Sequence, residues 1–280
     1  MARLPVKILV LETDEPHPDT KEERGRFSDI FHHLFKAAGY SHDPPLDVET
    51  DMHYVVDDPE HGHHGHVPSA SEIPQEINAI LITGSMYDAH GDDPWIRSLM
   101  SLIIELWRTR SAMKFSGVCF GHQLLNRTLG AKVKAAESGK WELSHTEMNL
   151  TSVGQKLFRT NDTTISVHQM HQDHVETLPS HQTSDLLLPS QKVHNWASTD
   201  HTEIQGVYIR DRLFTSQGHL GFDEAMVRRQ IELRQDAGSI DEDDKKEVAY
   251  ADETAHLEHE GEVVAAAILR FFHGDDHEIE

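Results

Sequence analysis

One short stretch, Gly117-Val118-Cys119-Phe120-Gly121, constrains the fold more than any other part of the chain. It lies between an apolar run and a segment with helically spaced leucines, so it predicts a strand, a tight turn and a helix. Glycines on both sides of the cysteine, at two-residue spacing, give the G-x-C-x-G form of a nucleophile elbow, in which small residues permit a sharp turn. The pattern therefore predicts an α/β sheet that carries a projecting thiol at the end of one strand.

Cys119 is the only cysteine in the chain. A thiol at a helix N-terminus is expected to have a lowered pKa, because the helix dipole favours the thiolate. We therefore interpret Cys119 as a nucleophile; the alternative is a small buried apolar residue, as many free cysteines are. One cysteine cannot form an internal disulfide, so the composition suits a reducing compartment, and we expect a cytoplasmic protein.

Strands and helices alternate through the first half of the chain. Apolar runs predict strands over 6–11, 47–56 and 77–82, the first of them central in its sheet. Helical spacing predicts a helix that starts at Phe27 and is closed by Gly39, and another that starts at Pro94. This alternation favours a doubly wound, mostly parallel α/β sheet with helices on both faces.

The pattern changes after Gly130, which is placed to end the elbow helix. Short strand-like runs over 147–151, 163–167 and 206–216 predict a small antiparallel β section in the second half. Helical spacing returns over 224–234 and 263–272. No linker or repeat divides the chain, so we expect one domain over 1–280.

Charge and hydropathy limit the partners. The chain has 25 Lys and Arg against 48 Asp and Glu, a net charge of −23. Such a surface repels phosphate backbones and anionic lipids, which argues against nucleic-acid and membrane partners. No apolar run approaches the roughly 20 residues that span a bilayer. The N-terminal apolar run meets acidic residues without a cleavage pattern, so no signal peptide is expected.

Two segments are expected to be flexible loops. The first, 57–72, holds four histidines within 61–66. These could bind a metal, but no nearby carboxylate or cysteine completes a defined ligand geometry, so a surface loop of biased composition is favoured. The second, 238–256, is acidic and is expected to be solvated. We therefore predict neither a metal nor a cofactor.

The elbow with His122 and Gln123, together with Gln217-Gly218-His219 about a hundred residues later, resembles the class I glutamine amidotransferase domain. The resemblance implies a flavodoxin-like α/β fold and runs from about Val6 to Phe272. Other segments resemble its stand-alone fungal and plant members, which include the γ-glutamyl peptidases; these segments are 82–85, 88–95, 141–143 and 195–200.

The resemblance implies a thioester mechanism. Cys119 would attack the side-chain carbonyl of a γ-glutamyl group, and His219 would carry the thiol proton to the leaving nitrogen. Backbone N–H groups of Phe120 and Ser85 would form the oxyanion hole, with Gly84 shaping the turn. The small-molecule substrate would be glutamine, a γ-glutamyl peptide or a glutathione conjugate.

Two further positions are implied to bind substrate. Gln123 matches the family position that binds the α-amino and carboxylate end of the substrate; the alternative is a glutamine on the helix surface. His171 lies in a segment that lines the family's substrate pocket. His171 and His174 are also the alternatives to His219 as the base among the 23 histidines of the chain.

Two departures from the family are apparent. The family's Gly-Gly-Pro turn is replaced around Gly84 and Ser85, and its His-Pro-Glu by His219-Leu220-Gly221, so the acid that orients the imidazole is missing. Asp223 or Glu224 could substitute if the backbone bends.

Three functions stay open: a hydrolase of γ-glutamyl amides, a binding protein with an eroded triad, and an enzyme acting on a specialised metabolite with the same cysteine and histidine. Without a synthetase domain or ATP loop, ammonia transfer would need a separate enzyme. A homo-oligomer is also possible.

Overall fold

The computed structural model describes residues 5–276 and residue 279. Strands and helices alternate over the first half, as predicted. The strands in chain order are β1 (Val6–Glu12), β2 (Val48–Tyr54), β3 (Asp57–Asp58), β4 (His63–His64), β5 (Ala79–Ile82), β6 (Lys114–Val118), β7 (Val133–Ala135), β8 (Glu142–Leu150), β9 (Thr164–His171), β10 (Asp173–Val175), β11 (His194–Asn195), β12 (Ala197–Ser198), β13 (Val207–Ile209) and β14 (Leu213–Ser216).

The helices pack against the main sheet and against the antiparallel strands β8 and β9. They are α1 (Pro18–Arg24), α2 (Phe27–Ser41), α3 (Pro94–Thr109), α4 (Phe120–Thr128), α5 (Ser152–Phe158), α6 (Glu224–Asp236), α7 (Lys245–Thr254) and α8 (Gly261–His273), with single 3₁₀ turns at Pro59–His61 and Glu242–Asp244. Within the described residues, no helix combines the length and the apolar character needed to cross a membrane.

The main sheet has seven strands in the order β11-β13-β14-β6-β5-β1-β2. The four pairings from β14 to β2 are parallel and the two at the other end are antiparallel. The expectation that β1 is central is wrong, because it lies beside the edge strand β2. The centre is β6, so the elbow that follows it sits at the middle of the sheet.

Alternate side chains of β1 enter two separate cores. Leu9 and Leu11 pack with residues of α3 and α4, whereas Ile8 and Val10 pack with residues of α2 and α8. Because successive strand residues point to opposite faces, this division shows helices on both faces of the sheet. The predicted doubly wound α/β class is confirmed.

The predicted antiparallel section is also present. β8 pairs with β9 over eight residues and with β12 at its other edge, and β10 pairs with β7. β9 ends at His171, and its preceding residue Met170 lies against the elbow. The section therefore forms one wall of the space in front of Cys119.

One expected helix limit is wrong, and one helix was missed. Gly39 does not close α2, which continues to Ser41; a methyl group at Gly39 would lie 2.5 Å from the carbonyl oxygen of Leu46, so this glycine permits a close approach instead. A helix was not expected between β8 and β9, yet α5 begins there, with Thr151 accepting the cap hydrogen bond from the N–H of Gly154 at 3.2 Å.

Both expected loops contain regular structure. The segment 238–256 holds α7, whose Ala251 is buried and whose Tyr250 donates to the carbonyl of His145 at 2.7 Å. Acidic residues interrupt the apolar spacing of this helix, and for this reason the sequence pattern indicated a loop. In 57–72, β3 pairs with β4, and the hydroxyl of Tyr54 lies 2.6 Å from Nδ1 of His63. The histidine-rich segment is thus packed against β2.

Candidate active site

Cys119 occupies a strained turn between β6 and α4. Its φ of 52° and ψ of −107° are unusual for a residue with a side chain and cost on the order of 1–3 kcal/mol. A methyl group at Gly117 would lie 2.4 Å from the backbone of Gly121, and one at Gly121 would lie 2.2 Å from the carbonyl oxygen of Ile82. Both glycines are therefore required by close backbone approach, as the elbow pattern predicts.

The thiol of Cys119 is buried, with 4% of the residue exposed, and its sulfur lies 3.8 Å from the carbonyl oxygen of Met170. Burial raises the pKa of this thiol to about 11, although the charge of Arg234 and the N–H of Phe120 act in the opposite direction. The expectation of a lowered pKa is wrong for the free protein, because desolvation outweighs the helix N-terminus.

His219 follows β14 and shares the turn at Gly84 with Cys119. A methyl group at Gly84 would lie 3.0 Å from Cε1 of His219 and 3.5 Å from Cβ of Cys119. The backbone N–H of His219 donates to the carbonyl of His168 at 2.8 Å, and its ring stacks on Phe222 with centroids 3.9 Å apart. The structure therefore brings the predicted nucleophile and the predicted base together beside one glycine.

The imidazole of His219 is neutral near pH 7. Burial lowers its pKa well below the usual value, and the charges of Arg234 and His171 add to this effect. Its Nε2 atom is buried and has no hydrogen-bond partner within the described residues. A neutral ring can accept a proton, but no carboxylate stabilises the imidazolium that would form.

Neither proposed substitute acid reaches His219. The carboxylate of Asp223 accepts from the N–H of Met226 at 2.9 Å, which caps α6, and it also pairs with Arg24. Glu224 pairs with Arg228 at 3.1 Å. Both carboxylates are held by other partners, so the hypothesis that one of them orients the imidazole is not supported.

The space that the family's glutamate would use is filled. A methyl group at Gly221 would lie 2.8 Å from Cγ2 of Ile30 and 3.0 Å from Cδ1 of Leu34. Helix α2 therefore packs directly against the backbone at this position. A larger residue at this position would require movement of these α2 side chains.

The turn after β5 is fastened to the end of β1. Thr13 Oγ1 lies 3.0 Å from Thr83 Oγ1, and the hydroxyl of Ser85 donates to the carbonyl of Thr13 at 2.6 Å. The N–H of Ser85 has no acceptor among the described residues, while that of Phe120 faces the sulfur of Cys119. Ser85 thus shapes the turn through its side chain and leaves its N–H free.

A cavity of about 270 Å³ opens in front of Cys119. Gln123 lies in its wall and is 4% exposed; its amide donates to the carbonyl of Asp173 at 2.8 Å and to Oε1 of Gln217 at 3.1 Å. The alternative of a helix-surface glutamine is therefore wrong. The wall also includes Tyr87, Asp88, Trp141, His171, Asp173 and Arg234.

His171 is held by two acceptors. Its Nε2 lies 2.9 Å from a carboxylate oxygen of Glu142, and its Nδ1 lies 2.9 Å from the carbonyl oxygen of Asp173. Since neither oxygen can donate when Glu142 is ionised, both ring nitrogens must carry protons. His171 is therefore an imidazolium paired with Glu142 and is not free to act as a base.

Glu142 was part of the family resemblance, but its role was missed. Its carboxylate also accepts from the hydroxyl of Thr199 at 2.7 Å and from the amide of Gln205 at 2.8 Å. Burial acts to raise the pKa of Glu142, but the hydrogen bond and charge of His171 outweigh it and leave the pKa below its usual range. The ionised state of this buried acid is thus stabilised by the protein.

Arg234 was also missed. It is 5% exposed, lies in the cavity wall with Cys119, and borders a second small cavity with His219. Its guanidinium donates to Oε1 of Gln230 at 2.8 Å. The four-residue spacing from Met226 through Gln230 to Arg234 places all three on one face of α6, a signal present in the sequence.

His174, the other alternative base, does not line the cavity, and burial lowers its pKa. In the part of the chain that the structure describes, no group of three or more histidine, cysteine or acidic side chains is arranged to hold a metal ion.

Residues 66–225 match the family model of the class-I glutamine amidotransferases. The chain belongs to this family. A glutamine amidotransferase-like protein of Schizosaccharomyces pombe is 27% identical over 264 residues, which cover 94% of this chain and 97% of that protein. Gamma-glutamyl peptidase 3 of Arabidopsis thaliana is 28% identical over 64% of this chain and 65% of its own.

Solved structures agree on the fold. A glutamine amidotransferase from Thermotoga maritima superposes with a TM-score of 0.65, at 19% identity, over 96% of this chain and 99% of its own. The family and its relatives support a general hydrolase or amidotransferase activity on a small molecule. The matched region includes the elbow and His219 but ends before Arg234.

Proposed function

We propose that this class I glutamine amidotransferase hydrolyses a γ-glutamyl amide through a thioester on Cys119. The observation that carries the proposal is the meeting of Cys119 and His219 at Gly84, on a turn whose strain serves to project the thiol. The amide is that of glutamine, a γ-glutamyl peptide or a glutathione conjugate. The Arabidopsis gamma-glutamyl peptidases among the relatives favour the peptide substrates.

The reaction has two steps. Neutral His219 accepts the thiol proton while the sulfur bonds to the γ-carbonyl carbon, and the same proton passes to the leaving nitrogen as the C–N bond breaks. Water then attacks the thioester, and the C–S bond breaks to release glutamate. One proton of the water passes to the sulfur and restores the thiol. The N–H of Ser85, which has no acceptor among the described residues, and that of Phe120 would stabilise the oxyanion in both steps.

The cavity wall suits the charged end of a γ-glutamyl group. Asp88 and Asp173 bring carboxylates to the wall, where they would attract an α-ammonium group. The carboxylate of Asp173 lies 2.9 Å from Nδ1 of His90, and the amide of Gln123 holds the backbone of Asp173. Gln123 would therefore act in substrate binding by fixing this wall.

A second candidate is a binding protein that retains the pocket with little turnover. The lack of a carboxylate partner for His219 favours it, because the imidazolium that the first step requires is not stabilised. Transfer of released ammonia would require a separate enzyme, and an oligomer could bring such sites together.

The test is an assay of glutamate release from glutamine, glutathione and a glutathione S-conjugate. We expect release from at least one substrate, its loss in Cys119→Ala, and a strong decrease in His219→Gln. His174→Gln serves as the matched control and should keep the activity. Release that persists in Cys119→Ala would overturn the proposal, and no release from any substrate would favour the binding protein.

A further inference from the structure

Arg234 carries a buried positive charge that forms no ion pair among the described residues. Its guanidinium donates only to Gln230, its neighbour on α6, and Asp14, whose charge acts on it, shares the second small cavity without contacting it. Trp141 covers one face, with the ring centroid 5.7 Å from Cζ. A buried cation is costly unless an anion compensates it, so a negative charge that forms in the cavity would be stabilised by Arg234.

The other charged groups around Cys119 are already compensated. The imidazolium of His171 is paired with Glu142, and the carboxylate of Asp173 is paired with His90. The carboxylate of Asp14 accepts from the N–H groups of Met86 and Glu15 at 2.7 Å each. Arg234 is therefore a buried cation of α6 that lines the cavity together with Cys119 and is not paired with a carboxylate among the described residues.

His219 is poorly suited to compensate a thiolate. It has no acid partner, its ring is stacked on Phe222, and the positive charge of Arg234 itself opposes protonation of the ring. A thiolate–imidazolium pair, the usual resting state of a cysteine–histidine site, is thus disfavoured here. The same charge that opposes the imidazolium favours the thiolate.

We propose that Arg234 is the counter-ion of the Cys119 thiolate and replaces the imidazolium in that role. His219 then serves only as the carrier of the proton between the sulfur and the leaving nitrogen. Because the thiolate is stabilised from α6, the site needs no acid at Gly221, which explains how the family's glutamate could be lost. The guanidinium of Arg234 stabilises the negative charge on the sulfur, and no bond is made or broken at the guanidinium itself.

The inference rests on the proposal that Cys119 is the nucleophile, but its test uses no γ-glutamyl substrate. Iodoacetamide is neutral, so its reaction with the single cysteine reports the thiolate fraction at each pH. We expect Arg234→Met to react about tenfold more slowly than the native protein between pH 7.5 and 9, equivalent to a shift of about one pKa unit. Arg234→Lys should retain part of the rate.

Two further variants separate this account from its rivals. His219→Gln should leave the alkylation rate within a factor of about three, whereas a thiolate–imidazolium pair requires a decrease as large as that of Arg234→Met. Arg228→Met removes an exposed arginine of the same helix and should react like the native protein. Thermal unfolding by circular dichroism restricts the comparison to folded variants.

An unchanged rate in folded Arg234→Met would overturn the inference. In that case Arg234 would be an anchor for a substrate carboxylate, seen as a raised KM with native alkylation. Loss of alkylation in Arg234→Met and His219→Gln alike would also overturn it, in favour of the conventional pair. Absence of glutamate release by the native protein, together with the expected slower alkylation of Arg234→Met, would instead argue against the proposed substrate and leave the charge relationship intact.

Discussion

Glu142 accepts a hydrogen bond from Nε2 of His171 at 2.9 Å, so the buried acid–histidine pair of this site lies at His171 and not at His219. His171 of this pair lies in the wall of the cavity in front of Cys119, and Glu142 holds it there. Its two hydrogen bonds fix the ring between Glu142 of β8 and Asp173, the first residue of β10. The site thus keeps a carboxylate–imidazolium pair at Glu142 and His171, whereas His219, which must exchange a proton, is neutral.

Glu142→Gln should lower the free energy of unfolding by about 3 kcal/mol at pH 7, because it leaves a buried imidazolium without its anion. The pKa of Glu142 is lower in the folded than in the unfolded protein. Its contribution is therefore complete above the unfolded value of about 4.3 and is lost as the pH falls below it. Urea unfolding of both proteins from pH 3.5 to 7.5 should show the difference shrinking on the acid side.

Glu147→Gln is the matched control for that prediction. Glu147 lies on the same strand and is exposed, so its replacement should change stability by less than about 0.5 kcal/mol. A difference between the native protein and Glu142→Gln that does not depend on pH would contradict an ionised Glu142–His171 pair.

The pH dependence of turnover should lack the usual histidine limb. Because burial and nearby cations hold the pKa of His219 well below 6.5, the ring stays neutral throughout the neutral range. Burial raises the pKa of Cys119 to about 11, so the thiol stays protonated there too. We expect kcat/KM to be flat from about pH 6 to 9, measured by glutamate release. A decrease below pH 6.5 in kcat/KM would show that His219 titrates normally.

Rebuilding the family sequence should not restore a triad. In the double variant Leu220→Pro and Gly221→Glu, the new side chain meets Ile30 and Leu34 of α2. We expect a loss of about 1–3 kcal/mol from overpacking, and no gain in kcat. When Leu34→Ala is added to the double variant, the total loss of stability should be smaller than the sum of the losses that the two changes cause separately. A faster enzyme without the α2 change would show that the glutamate fits and that the triad is merely eroded.

Much of the fold was predictable because it depends on local patterns. The apolar runs of β1 and β5 and the stripe of α3 are strong periodic signals, and the glycines of the elbow report close backbone contacts. The position of β1 in the sheet was not predictable, since strand order depends on pairings between distant segments. Helix α7 was missed because acidic residues hide a narrow buried face around Ala251.

The candidate site was predictable only in its motif residues. Cys119, His219 and Gln123 are marked by their sequence neighbours; Cys119 and Gln123 line one cavity, and His219 lines a second that shares Arg234 with it. The pKa of the thiol depends on burial by distant strands, and the Glu142–His171 pair joins residues 29 positions apart. Arg234 carries a signal in its helical spacing, but only the tertiary structure shows that this face meets Cys119.

The central claim is a γ-glutamyl thioester on Cys119, and intact-mass spectrometry after rapid acid quenching tests it most directly. With the substrate that gives the fastest glutamate release, we predict an adduct of one γ-glutamyl group that maps to the peptide containing Cys119. Cys119→Ala should show neither adduct nor release. Glutamate release by the native protein without any adduct, together with undiminished release by Cys119→Ala, would contradict the account.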